Sequence, residues 1–200
     1  MAGPRSCSRR AAAALLAAAL AGVLWPAVPG AAQPLGPQSV EDLQGRFTIS
    51  VPPAWEVERS KRDPAVSAKS PAPNGALADT VNVFVRDLGF PISAQECAYL
   101  VKRVMRFTIH RWTTLREGPD NLAGLPAYSH LYVWTTQAGW ERRSMETCVM
   151  MGRRAFVLIG TIDNGSSHAD HDLADVTRIM GTFHPLTGAP EQMVPPKQGK

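Results

Sequence analysis

His168, His171 and Asp175 lie three and four residues apart in SSHADHDLADVTRIMGTFHP, the stretch from Ser166 to Pro185. On a helix, positions i, i+3 and i+7 share one sector, so two imidazoles and a carboxylate there could converge on a transition-metal ion. The same residues also have plain helix roles. Ser167 and Asp170 stand at capping-box spacing, and Asp170 and Asp172 fall where a positive helix end favours acids. Leu173, Val176, Met180 and Phe183 then make an inward stripe, leaving the histidines and Asp175 outside. No supporting layer of hydrogen-bond partners for a metal is evident. The stretch therefore reads first as a capped, solvated helix start, and second as a weak, open metal site. Ser166, His168 and Asp170 make no triad, because consecutive residues at a helix start do not meet at one point.

Two further groupings could carry chemistry. Tyr128, His130, Tyr132 and Trp134 alternate, and so share one face of a strand. They would form either an aromatic surface for a ligand or partner, or a layer packed beneath a helix. Cys97 and Cys148 are the cysteines left once an N-terminal export segment is set aside, and an exported pair invites a disulfide. Closing a loop of about 50 residues would contribute about 4 kcal/mol in the chain-entropy model. The alternative is two buried free thiols. There is no G-x-S-x-G elbow, no H-E-x-x-H, no phosphate-cradling glycine loop and no C-x-x-C. No enzymatic role and no cofactor is expected from these motifs.

The elements that must position these residues are mostly strands. Phe47, Ile49 and Val51 alternate with Thr48 and Ser50 and stop at Pro52-Pro53. Trp55 and Val57 open a short second strand, and Thr80 to Arg86 is a clear one. Ser93, with Glu96 three residues on, caps a helix whose inward set is Cys97, Leu100, Val101, Val104 and Phe107. Ala127 to Thr136 and Trp140 to Met150 flank Gln137-Ala138-Gly139, a hairpin signal. Ala155 to Ile162 is apolar on both faces and needs cover on both. These elements predict an α+β domain: an α/β/α sandwich with a central, mainly antiparallel sheet covered by helices on both faces. Trp55 and Phe183 would close its two ends.

The N-terminus has a different character. Arg5, Arg9 and Arg10 precede the apolar run Ala11 to Leu24 and the small residues Gly30-Ala31-Ala32, as in a secretory signal peptide covering residues 1–32. The run is too short and alanine-rich for a good membrane span. Residues 33–45 read as a flexible leader, 46–186 as a single domain, and 187–200 as a flexible tail. The whole chain carries 21 basic and 17 acidic side chains. Removing residues 1–32 removes three arginines and no acid, leaving 18 against 17, or +1. The basic balance therefore gives no support for nucleic-acid binding.

Four stretches, GRFTISVPPAWEV, AGLPAYSHLYVW, RRAFVLIGTI and RIMGTFHP, together resemble the PsbP-like family, which includes DcrB-type exported bacterial proteins. The likeness spans about Arg46 to Pro185 and consists of core and turn residues. It implies the sandwich described above and a non-enzymatic accessory or binding role outside the cytoplasm, periplasmic or extracellular. The partner would be an envelope protein or a small ligand. The manganese and calcium associations of the photosystem members do not carry over, since their ligands match no residues here. The competing expectation is an extracytoplasmic metal-binding protein or metal-assisted enzyme built on His168, His171 and Asp175.

Overall fold

The computed structural model describes residues 36–72 and 77–186. The expected signal segment 1–32 and tail 187–200 lie outside them. The chain order is β1 (Gln38–Glu41), β2 (Phe47–Val51), β3 (Glu56–Arg59), β4 (Val66–Lys69), β5 (Thr80–Asp87), α1 (Ala94–Thr108), β6 (His110–Leu122), β7 (Leu125–Thr135), β8 (Glu141–Met151), β9 (Arg154–Asp163), α2 (Ala169–Gly181) and β10 (His184–Pro185). Seven strands form one sheet in the order β3-β4-β5-β9-β8-β7-β6, and β1-β2-β10 form a second. Every pairing in both sheets is antiparallel.

β9 sits near the middle of the large sheet because both its faces are apolar, and all its inner positions are buried. Its even-numbered side chains, Phe156, Leu158 and Ile162, join a core with β2, Val176, Met180 and Phe183. Its odd-numbered ones, Ala155, Val157 and Ile159, join a second core with Cys97, Ala98 and Cys148. Gly160 belongs to the first face. A Cβ there would stand 2.8 Å from Met180 Sδ and 3.1 Å from Val176 Cγ2, so the missing side chain is what lets α2 pack closely on β9.

The expected sandwich is met in part. Among the described residues there are two helices, and the α2 face is shared with the small β1-β2-β10 sheet. β2 alternates buried and half-buried as its sequence suggests, yet it belongs to that small sheet. Residues Gln38–Glu41, expected in a leader, are a strand: they pair along the length of β2 and bury Val40. The turn between them is held by Asp42, whose carboxylate accepts from the Arg46 backbone N–H and pairs with its guanidinium at 2.6 Å. Phe183 is buried against Phe47 and Phe156, with ring centroids 5.5 and 5.2 Å away. Trp55 only flanks that core and is half-buried.

Candidate functional site

α1 begins as its sequence requires. Ser93 Oγ accepts from the Glu96 backbone N–H, and the Glu96 carboxylate accepts from the Ser93 N–H at 2.7 Å. The helix packs chiefly over β8, β7 and β6. Its inward residues are Cys97, Ala98, Val101 and Met105. Leu100, Val104 and Phe107, expected to face inward, are instead exposed, Phe107 by 84 %. The apolar stripe is wider than the sheet contact, and its remainder looks across towards β5. There it borders an apolar groove of about 370 Å³, with Phe84, Val157 and Ile159 as floor and Leu100 and Val104 as wall. Arg86 is the charged residue on its lining, paired with Asp63. Phe90, 64 % exposed, extends the apolar surface beyond it.

Beneath α1 lies a polar and aromatic layer. Tyr128, His130, Tyr132 and Trp134 do share one strand face, the one facing α1. His130 and Tyr132 are buried, and Tyr128 and Trp134 are half-buried. Trp112 stacks on Tyr132 with centroids 3.8 Å apart, and Tyr99 of α1 lies over Tyr128. Trp134 Nε1 donates to Ser144 Oγ at 3.0 Å. His130 Nε2 is 3.0 Å from Thr114 Oγ1 and 3.8 Å from a Glu117 carboxylate oxygen, which takes a 2.6 Å bond from Lys102 Nζ. Burial, aided by the Lys102 charge, pushes His130 down from 6.5 to about 4, so its ring is neutral at pH 7.

Cys97 and Cys148 are neighbours in one buried cluster as free thiols, not as the expected bridge. Cys148 Sγ also lies 3.8 Å from Glu146 Oε1 as a donor. The neighbouring Cys148 side chain holds the Cys97 thiol below its usual value, while the Cys148 thiol is pushed up by Cys97 and by burial. Glu146 is completely buried, and its Oε2 has no hydrogen-bond partner among the described residues. Burial raises its carboxyl from 4.5 to about 8, with the Cys97 charge adding to the effect. The Tyr132 hydroxyl is likewise buried without a partner, and its pKa is driven up by burial and by Glu146.

Glu146, Glu117 and Trp112 were absent from the sequence expectations. A signal for Glu146 was present: in β8, Ser144, Glu146 and Cys148 alternate on one face, so an inward Cys148 requires an inward Glu146.

The helix-start stretch is organised differently from its sequence reading. α2 has His168 at its N-cap, with no side-chain cap bond. Ser166, not Ser167, supplies the local hydroxyl, accepting from the His168 N–H at 3.0 Å and donating to Asp172 Oδ2 at 3.2 Å. Asp170 pairs with Arg143 at 2.6 Å. His171 Nδ1 lies 3.6 Å from Asp175 Oδ2, but Asp175 is also taken by Arg178. Among the described residues, no group of three or more His, Cys, Asp or Glu side chains could hold a metal ion. His168 does not join His171 and Asp175.

A seven-stranded antiparallel sheet with one helix over the β6–β8 half of a face, and a second helix sharing the other face with a small sheet, has counterparts among solved structures. Cyanobacterial PsbP (CyanoP) from Synechocystis superposes with a TM-score of 0.61 at 11% identity, covering 78% of this chain and 96% of that one. The fold is PsbP-like. The Saccharomyces cerevisiae Ran-binding protein Mog1p matches with a TM-score of 0.54 at 14% identity, over 74% of this chain and 95% of its own. LpqN, involved in cell envelope biogenesis of Mycobacterium tuberculosis, matches with a TM-score of 0.54 at 14% identity, over 76% and 91%. No family model and no curated protein matches the sequence. The PsbP-like fold places the apolar groove and the buried Cys97–Cys148–Glu146 cluster on the α1 face, with the small sheet on the other.

Proposed function

We propose that this chain is an exported, non-enzymatic accessory protein of the cell envelope or extracytoplasmic space, with residues 1–32 as its signal segment. It acts by binding an extended aliphatic chain, such as that of a lipid-type amphiphile, in the groove between α1 and β5. The observation that carries this reading is the groove itself. It is a concave site of about 370 Å³ whose floor and wall are aliphatic and aromatic, with one cation at the lining, as small-ligand sites commonly are. Its walls leave Leu100 and Val104 more than half exposed, an apolar surface that a bound chain would cover. Among the described residues no helix is long and apolar enough to cross a membrane. The likeness to an envelope-biogenesis protein is consistent with the same setting.

The test is calorimetric titration of the chain with dodecanoate. Binding near one per chain is expected, lost in Leu100→Asp, which puts a charge at the mouth without disturbing the core. It should persist in a His168→Ala, His171→Ala double variant. No binding, or binding indifferent to Leu100→Asp, overturns the reading. The exposed Phe90 and Phe107 favour a second one, in which an envelope protein docks on the whole apolar band. Loss of a native complex in Phe107→Asp, with dodecanoate binding absent in the parent chain, would select it.

A further inference from the structure

Three reactive groups, Cys97 on α1 and Glu146 and Cys148 on β8 beneath it, are buried together. Glu146 is an acid with no access to water and one oxygen without a partner. Such a group is costly, and replacing it with a hydrocarbon of its shape would relieve the cost. It stands two residues from Cys148 on the same strand face, in contact with that thiol. Cys148 in turn contacts Cys97, which forms part of the groove lining. One cysteine, 4 % exposed, is part of the groove lining, one is fully enclosed, and a carboxyl group touches the enclosed thiol.

We propose that Cys97 and Cys148 are a reversible thiol–disulfide couple, with Cys97 the groove-facing nucleophile, Cys148 the resolving thiol, and Glu146 the group that takes the resolving thiol's proton. The oxidant is a small disulfide, RSSR, entering the groove, and the activity stands whether or not the groove also takes an aliphatic ligand. Cys97 releases its proton and its sulfur attacks one sulfur of RSSR. The S–S bond breaks, RS⁻ leaves and takes up a proton, and Cys97 carries a mixed disulfide. Cys148 then gives its proton to the Glu146 carboxylate and its sulfur attacks Cys97 Sγ. The second RS⁻ leaves and is protonated. Two protein thiols are oxidised to one disulfide, and RSSR is reduced to two RSH.

The direction of attack follows from the geometry. Cys148 has 0 % exposure, so an incoming disulfide reaches Cys97 first. Cys97 and Cys148 share one buried cluster, and the Cys148 side chain beside Cys97 lowers its thiol, which favours the attacking thiolate. Enclosed from water, Cys148 needs a base at hand, and the Glu146 carboxyl is the titratable group in contact with it besides Cys97. The other titratable groups facing Glu146 are His130 and Tyr132 from β7 and Lys102 from α1; β9 presents Ile159 opposite it. His130 is already neutral through this range and Tyr132 stays protonated, so besides the Cys97 nucleophile Glu146 is the group here that changes state near neutral pH.

The experiment exposes the reduced full chain to glutathione disulfide, stops the reaction with acid and reads the products by mass. Cys148→Ser should accumulate a mixed disulfide on Cys97, and Cys97→Ser should not react. The parent chain should pass through the mixed disulfide to the Cys97–Cys148 bridge. In Glu146→Gln the mixed disulfide should persist, with closure slowed about 100-fold. The parent chain gives a second measure independent of that variant's folding. Its mixed disulfide should accumulate at about pH 6, where Glu146 is protonated, and vanish by about pH 9. Modification of Cys148 first, two thiols left unreacted, closure in Glu146→Gln at the parent rate, or no change in mixed-disulfide accumulation with pH would each overturn the proposal.

Discussion

Glu146 and His130, opposite each other across β7 and β8, should give the protein an unusual pH profile of stability. Both are buried, so neither shift is screened away by solvent. His130 titrates at 6.5 when unfolded and at about 4 when folded. Between those values the unfolded chain binds the extra proton, so stability from this group is present above 6.5 and lost as pH falls towards 4. At about 1.4 kcal/mol per unit, its full contribution is about 3 kcal/mol. Glu146 works the other way. Its carboxyl titrates at 4.5 unfolded and about 8 folded, so stability is present below 4.5 and lost as pH rises through 8. The full loss is about 5 kcal/mol.

From about pH 4.5 to about 6.5 the two slopes oppose and nearly cancel. Of this pair only Glu146 titrates above about 6.5, and it should lower stability by about 2 kcal/mol by pH 8, a fall that the lowered Cys97 thiol opposes. Glu117 and Glu96, whose carboxyls are held low by Lys102 and by Ser93, act on the acid side of this window. Glu146→Met keeps the shape and removes the proton site. That variant should gain about 3 kcal/mol between pH 4 and 6.5 and show no fall above it. Urea titrations at half-unit pH steps, with a reductant keeping both thiols reduced, measure both curves. A parent chain whose stability climbs steadily to pH 8, or a variant that keeps the fall above 6.5, would refute the reasoning.

Two other outcomes are expected. Ser166→Ala should cost about 1 kcal/mol, because Ser166 Oγ accepts the His168 N–H at the start of α2, whereas Ser167→Ala should leave the urea midpoint nearly unchanged. Phe183→Ala should cost about 3–5 kcal/mol, since its ring packs between Phe47 and Phe156, and Trp55→Ala should cost less in the same denaturation assay because Trp55 only borders that core.

Local chemistry was legible where it was self-contained. The Ser93–Glu96 box, the turn at Gly139 with its φ of 88°, and the double-faced burial of β9 each depend on residues adjacent in sequence. β6 was not legible, although it is a long strand at the sheet edge. Gly118 and Pro119 interrupt its sequence and register shifts break its pairing with β7, features an edge strand tolerates because one side needs no partner. The N-cap of α2 is His168, one residue later than expected, and the hydroxyl at the helix start comes from Ser166, in a turn closed by Ser166 N–H to Asp163 O. The aromatic stripe was legible as a face, but Trp112, which stacks on it, comes from β6 and so from tertiary structure. The facing of α1 was the largest departure. Periodicity shows that Leu100, Val104 and Phe107 share a side with Cys97, but not how much of that side the sheet covers.

That departure and the buried polar groups lie on one face of the sheet. The α2 face is closed by aromatic contacts among Phe47, Phe156 and Phe183, and its one gap, at Gly160, is filled by Met180 and Val176. The α1 face holds Glu146 Oε2 and the Tyr132 hydroxyl, which have no hydrogen-bond partner among the described residues, the two thiols and an open apolar groove. A sequence selected for stability alone would not place an acid at the centre of a sheet, nor leave half of a helix's apolar stripe in water. Both costs are tolerable because the opposite face supplies a dense core, and both fall within reach of Cys97, the residue that borders the groove and contacts Cys148. The buried polar groups that packing leaves unexplained thus lie under and beside α1, whereas the hydrogen bonds and ion pairs at the histidine-rich start of α2 serve the helix.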